Sequence, residues 1–210
     1  MQQNIQLTYF DSVKSTAKYD LSIKEYIDLI KAGFTKSKVE PARKEHEQNG
    51  KTDLYNSLKQ NIPALTISCT IKKGLGHSEE NINTKNRLIC IDIDDDADNK
   101  GKLSNEVIES IKKDDQTLIL HKSISGIGFC VFILIDTDDF QSAFYSLENY
   151  YKSKYDLVID EKCKNINRTR FLSYDSDIHY NLDAIQHNTD VPKGYKPIER
   201  KKTIKTSKKV

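Results

Sequence analysis

Apolar positions along this chain recur with two different periods, and the change from one to the other marks out the elements. Residues 4–10 alternate polar and apolar and predict a short strand. Ile23, Tyr26, Ile27 and Ile30 then recur at three and four, the spacing of one helix face. Ser22 with Glu25 three residues on forms a capping box, and Gly33 closes the helix of residues 23–32. The polar stretch 35–51 predicts a further helix, and residues 53–60 another that stops before Pro63. β-branched residues over 64–71 predict a strand, followed by a polar loop over 74–84.

The second half has a stronger pattern. Residues 87–93 predict a central strand, and a helix capped by Ser104 follows with Val107, Ile108 and Ile111 on its buried face. Strands are expected over 116–123 and 129–135, joined at Ser125-Gly126-Ile127-Gly128 in a hairpin whose loop exceeds two residues. Phe140, Ala143, Phe144, Leu147 and Tyr150 lie at helical spacing within 139–155, an aromatic stripe that we read as core. Short strands over 157–160 and 168–174 complete the order β-α-β-β-α-β, with a polar turn through Asp175 and Asp177. That order predicts an α+β fold of split-βαβ or RNA-recognition type, with helices on one face of the sheet. A single domain is expected over 1–190, made of an N-terminal α/β extension over about 1–60 and a core over about 61–190, followed by a basic, disordered tail or linker over 191–210.

Composition narrows the class. No run of about 18 apolar residues occurs, so no membrane-spanning helix is expected. The first eight residues lack a basic region leading into an apolar one, and a cytoplasmic protein is expected. Cys69, Cys90, Cys130 and Cys163 are scattered without zinc-site spacing, which predicts reduced, packed thiols. The net charge of +2 conceals an asymmetry: residues 193–209 carry +7, leaving −5 for the rest. A basic tail can attract a polyanion, although a charged linker is the commoner meaning of such a stretch.

The candidate chemistry centres on Leu88-Ile-Cys-Ile-Asp-Ile-Asp-Asp-Asp96. Alternation puts Ile89, Ile91 and Ile93 on one face and Cys90, Asp92 and Asp94 on the other. Two carboxylates roughly 7 Å apart at a strand end repel each other and call for a counter-charge. Mg²⁺ or Mn²⁺ suits oxygen ligands of this kind. An EF-hand loop from Asp92 is excluded, because its sixth and twelfth positions are Ala97 and Leu103. A solvated acidic turn without chemistry is the remaining alternative. Ser123, Ser125, Gly126 and Gly128 form a turn of small residues that lets phosphate oxygens approach the backbone. Asp160 ends another expected strand, and a third carboxylate completes a two-metal site able to hold a nucleoside triphosphate. Arg168 and Arg170 offer planar donors to phosphate or template. His121, alone on a strand, is read as structural.

The series residues 88–94, then His-Lys-Ser-Ile-Ser-Gly-Ile-Gly-Phe-Cys-Val-Phe-Ile from 121, Val-Ile-Asp from 158 and Arg-Thr-Arg-Phe-Leu-Ser-Tyr-Asp from 168 resembles the archaeo-eukaryotic primase-polymerase superfamily. It is most similar to the primase-like domain called the VirE N-terminal or Bacteroides-type N-terminal domain. Tyr55-Asn-Ser-Leu-Lys-Gln-Asn-Ile-Pro-Ala-Leu-Thr and Tyr150-Tyr151 also fit that group, and the likeness covers residues 50–182. The resemblance implies that Asp92, Asp94 and Asp160 bind divalent metal. Superfamily members place a histidine in the second motif to contact nucleotide phosphates, and here that position is Cys130. A neutral thiol cannot replace an imidazolium, so the task passes to Lys122, Ser123, Ser125 or Arg170, or catalysis is lost. Members of the group precede a P-loop helicase-like module in phage and mobile-element proteins, whereas no Walker motif occurs in this chain.

The expected function is therefore metal-dependent nucleotidyl transfer on a single-stranded DNA template, from nucleoside triphosphates, in mobile-element replication. The alternative is a catalytically degenerate primase fold that binds DNA or docks a partner. A metal-dependent glycosyltransferase, which also uses Asp-x-Asp, is a third and weaker reading.

Overall fold

The computed structural model describes residues 5–95 and 98–200. Asn4 of the first expected strand, Asp96 and Ala97 of the acidic turn, and residues 201–210 of the basic tail lie outside them. The elements are β1 Gln6–Phe10, β2 Tyr19–Ser22, α1 Ile23–Ala32, α2 Lys36–Asn49, α3 Asp53–Gln60, β3 Ala64–Thr66, β4 Cys69–Ile71 and β5 Ile82–Lys85. There follow β6 Leu88–Ile93, α4 Asn105–Lys112, β7 Thr117–Lys122, β8 Phe129–Leu134, α5 Phe140–Tyr155, β9 Thr169–Phe171 and β10 His179–Tyr180. The fold is α+β, built on two four-stranded antiparallel sheets, β2-β1-β3-β9 and β10-β7-β8-β6, with a β4-β5 ribbon.

The central sheet is buried on both faces by different parts of the chain. Ile89, Ile91 and Ile93 of β6 pack with Ile108 and Ile111 of α4 and with Phe144, Leu147 and Tyr151 of α5. An eight-residue helix such as α4 is marginal in water by itself. Burying its two isoleucines, at about 2 kcal/mol each, holds it in place. On the opposite face Leu88, Cys90, Cys130 and Phe132 meet Tyr26, Ile27 and Ile30 of α1. The expected capping box opens α1: Ser22 Oγ accepts from Glu25 N, and Glu25 Oε2 accepts from Ser22 N at 2.7 Å. β1 and α1 thus share the core that includes β6 and β8. Both helices of the β-α-β-β-α unit do lie on one face, as expected, while the N-terminal elements cover the other.

Four expectations are corrected. Residues 64–71 are two strands rather than one, β3 joining β1 and β9 while β4 pairs with β5. The loop 74–84 ends in β5, a largely exposed strand whose polar sequence hides it. Residues 157–160 form no strand, because Asn99 supplies the hydrogen bonds that a neighbouring strand would. Its Nδ2 donates to Val158 O at 2.7 Å and its Oδ1 accepts from Val158 N at 2.8 Å. Finally, the strand expected over 168–174 is reduced to β9, which pairs with β3 in the other sheet. The six-element order therefore does not close into a single sheet.

Residues 191–200 run along α5. Tyr195 Oη and Ile198 N donate to the fully buried Glu148 at 2.6 and 3.2 Å, and Arg200 pairs with the same carboxylate. Arg200 Nη2 also donates to Ile159 O at 3.0 Å, so this segment braces the residue before Asp160. All four cysteines are buried and free, in keeping with packed thiols. Among the described residues no helix is long and apolar enough to cross a membrane.

Asp114 sits in a buried cluster, accepting from Tyr150 Oη at 2.7 Å, Tyr155 Oη at 2.6 Å, Lys154 Nζ at 3.0 Å and Gln116 N at 3.1 Å. Burial by itself raises its pKa, but these donors outweigh it and hold the carboxyl below its ordinary 3.8. A lowered folded-state pKa contributes stability that is complete above the ordinary value and lost as pH falls through the folded one. Urea unfolding of Asp114→Ala is expected to show a loss of about 2 kcal/mol at neutral pH. Part of that difference from the parent should disappear when the measurement is repeated below pH 3.8.

Candidate functional site: a basic cleft with three carboxylates

β6 delivers Asp92 to the face opposite its isoleucines, and Asp94 follows just past the strand end. At the same end of the sheet β8 begins with Phe129 and Cys130, and the turn between β7 and β8 closes above them. Asp160 N donates to Asp92 O at 3.0 Å, which brings the third acid alongside the first. β9 approaches from the other sheet with Arg168 just before it and Arg170 within it. Together with α3 these elements enclose a cavity of about 240 Å³.

Asp92 does not stand unpaired. Arg170, almost fully buried, pairs with Asp92 Oδ2, and its Nη2 donates to Cys90 O at 2.8 Å and to Cys163 Sγ at 2.7 Å. Burial opposes the guanidinium charge, but Asp92 together with Cys163, Cys90 and Cys130 outweighs it and raises the pKa of Arg170 well above its usual value. The counter-charge that the acidic strand end requires is thus supplied by the chain. Asp92 Oδ1 accepts the Cys130 thiol at 3.2 Å. That thiol stays protonated, because its hydrogen bond with Cys90, burial and then Asp92 all push its pKa up.

Asp160 Oδ2 accepts from Arg168 Nη2 at 2.9 Å, and its Oδ1 caps a 3₁₀ turn over Glu161–Lys164 by accepting from Lys162 N at 3.0 Å. Carboxylate oxygens of Asp92 and Asp160 and the sulfur of Cys163 lie within 4.8 Å of one another. Asp94 lines the same cavity but stands outside that tight group, with its Oδ2 3.8 Å from Lys51 Nζ. Asp92 and Asp160, from different segments, are thus close enough to share one ligand position.

The turn is shaped as the sequence suggests, though its residues divide in role. Ser123 and Ser125 line the cavity, with their hydroxyls 2.9 Å apart. A Cβ at Gly128 would meet Asp94 Oδ1 and Ile93 O at 2.9 Å, so only glycine allows this approach. Gly126 takes the left-handed conformation beneath Arg43, which donates to Ser123 O at 3.1 Å and Tyr174 O at 2.6 Å and so pins the turn. Lys122 does not line the cavity; its N–H donates to Asp175 Oδ2 at 2.8 Å. His121 is fully buried between Tyr26 Oη at 2.8 Å and Lys122 O at 2.9 Å, a structural position.

Sequence reasoning missed Lys51, Tyr55, Lys59, Lys162 and Phe171, all of which line the cavity. They come from a linker, a polar helix, a turn and a short strand, and no spacing rule relates them. With them the lining holds five cations against three carboxylates, a net +2. Such a cleft repels a bare cation and attracts a polyanion.

The fold and cleft define an α+β protein with a basic, carboxylate-bearing site at one end of an antiparallel sheet. The sequence model described as "BT4734-like, N-terminal domain" matches residues 57–180, and the chain belongs to that family. That span runs from within α3 to the end of β10 and includes Lys59, the three acids, the turn and both arginines. No curated protein and no solved structure matches the chain.

Proposed function

We propose that the cleft binds a nucleoside triphosphate with Mg²⁺ or Mn²⁺, and that the protein is a primase-polymerase-like nucleotidyltransferase acting on single-stranded DNA. The observation that carries this reading is the convergence of the Asp92–Asp94 strand end and the distant Asp160 onto one cavity with a cation excess. The donor set fits a hard divalent ion, since the acids offer oxygens and the Asp92–Asp160 approach is close enough to share one. Bound there with a nucleotide, such an ion supplies charge neutralisation to the phosphates. Arg168 and Lys162 add positive charge beside Asp160, and the Ser123 and Ser125 hydroxyls offer donors to phosphate oxygens. Arg170 keeps Asp92 oriented toward the cavity rather than contacting substrate. The biological setting this reading implies is replication of a phage or mobile element, with a P-loop helicase-like module in the same or a neighbouring chain.

A second reading is favoured by one specific observation: both oxygens of Asp92 are already engaged, by Arg170 and by Cys130. On that reading the fold binds DNA or a partner without transfer chemistry. Labelled nucleotide incorporation on primed and unprimed single-stranded DNA, with Mg²⁺ and with Mn²⁺, separates the two. Template-dependent product is the expected result. Tight metal-independent DNA binding with no product under any condition decides for the second.

A further inference from the structure

Each carboxylate in the cleft has its own cation: Asp92 has Arg170, Asp160 has Arg168 at 2.9 Å and Asp94 has Lys51 at 3.8 Å. Two lining cations are left over. Lys59 and Lys162 have no carboxylate within 4 Å among the described residues, and they account for the whole net charge of the cavity. Lys162 follows Asp160 by two residues and is exposed at the cavity wall. Lys59 is half-buried on α3, its Nζ 5.2 Å from the Tyr55 ring centroid and 5.1 Å from that of Phe171. Two aromatic faces restrain where the ammonium can go. They do not replace a counter-ion, and burial pushes the pKa of Lys59 down against the more distant pull of Asp94 and Asp92. A partly desolvated cation with no carboxylate in contact is costly until an anion arrives.

We infer that Lys59 and Lys162 form a polyphosphate seat, which grips the phosphate chain of the nucleotide and does so without a divalent ion. The inference rests on the proposed function for the identity of the nucleotide, but not for the seat itself. Arg168 and Arg170 are committed to acids that the fold needs neutralised, so the two lysines give the phosphate chain its first hold. Two point charges on separate elements suit a ligand that carries several negative charges along its length, in preference to a single carboxylate. Inorganic triphosphate and the tail of a nucleoside triphosphate share that chemistry.

Calorimetric titration in the presence of a chelator tests the seat, using inorganic triphosphate in one arm and a nucleoside triphosphate in the other. Both should bind the unmodified protein. Lys59→Met, which keeps the stem packed on Tyr55 and Phe171, should weaken both by at least about tenfold, the loss expected for one charge-assisted contact. Lys59→Arg should restore most of the affinity, and Lys162→Met, at an exposed position, should weaken binding with its melting temperature unchanged. Unaltered affinity in folded Lys59→Met protein, or no triphosphate binding by the parent, overturns the inference. Nucleoside triphosphate binding that survives Lys59→Met while inorganic triphosphate binding does not places the grip on the base or sugar and overturns it too. Absence of nucleotide incorporation with triphosphate binding intact removes the transfer reading and leaves the seat standing.

Discussion

Protein carrying Asp92→Asn together with Asp94→Asn is expected to lose template-dependent incorporation by at least about a hundredfold, as befits removal of charge from a metal–phosphate site. The magnitude follows from what the substitution leaves behind. Asparagine retains a carbonyl that can accept from Arg170 and from the Cys130 thiol, so the local hydrogen bonds at position 92 have a substitute. Two negative charges disappear from a lining that already has a cation excess, and Asp160 is left as the one carboxylate against five cations. Nucleotide and DNA should bind at least as well as before while product formation collapses. A steady-state assay alongside a DNA-binding titration separates these effects. Equal activity in the variant would remove the carboxylates from the reaction.

Arg170→Met should be the most damaging single change to stability in the site, at about 3 kcal/mol by denaturant unfolding. Breaking one side of a buried ion pair leaves the other charge uncompensated, and here Cys90 O loses its guanidinium donor at the same time. Two features keep the cost at the lower end of the usual range. The Asp92 side chain is 19% exposed, and Arg168 Nη2 lies 3.8 Å from its Oδ2. Arg168→Met, by contrast, acts on a pair in which both side chains are 28% exposed and should cost under about 1 kcal/mol. Similar losses for the two variants would mean that Arg170 does not serve as the anchor of Asp92.

The parts of the site legible in the sequence are those fixed by local periodicity. β6 puts its isoleucines under α4 and α5 and turns Cys90 and Asp92 the other way because strand side chains alternate, and that alternation is written in the chain. The capping box of α1 and the buried stripe of α5 were legible for the same reason, though Tyr151 is the fully buried tyrosine and Tyr150 instead reaches Asp114. Pairing between distant segments was not legible. A three-residue strand such as β9 carries no mark of its partner, so its place beside β3 depends on tertiary packing. Asn99 standing in for a strand at Val158 leaves no pattern either. The need for a counter-charge at Asp92 could be read, but its supplier could not: Arg170 lies 78 residues away in sequence. Lys59 looks in the sequence like any solvated lysine on a polar helix, and only the fold brings it to the cavity.

The central claim is that three carboxylates and a surplus of cations act together, so that metal and phosphate chain bind this cleft as a unit. Titration of Mn²⁺ followed by water-proton relaxation, with and without a non-hydrolysable nucleoside triphosphate, tests it most directly. The account predicts that Mn²⁺ binds at least about tenfold more tightly when the nucleotide is present, a coupling of the usual size between linked ligands, and that Asp92→Asn with Asp160→Asn abolishes the enhancement. Mn²⁺ affinity that is indifferent to the nucleotide, or an enhancement that survives loss of both acids, would contradict it.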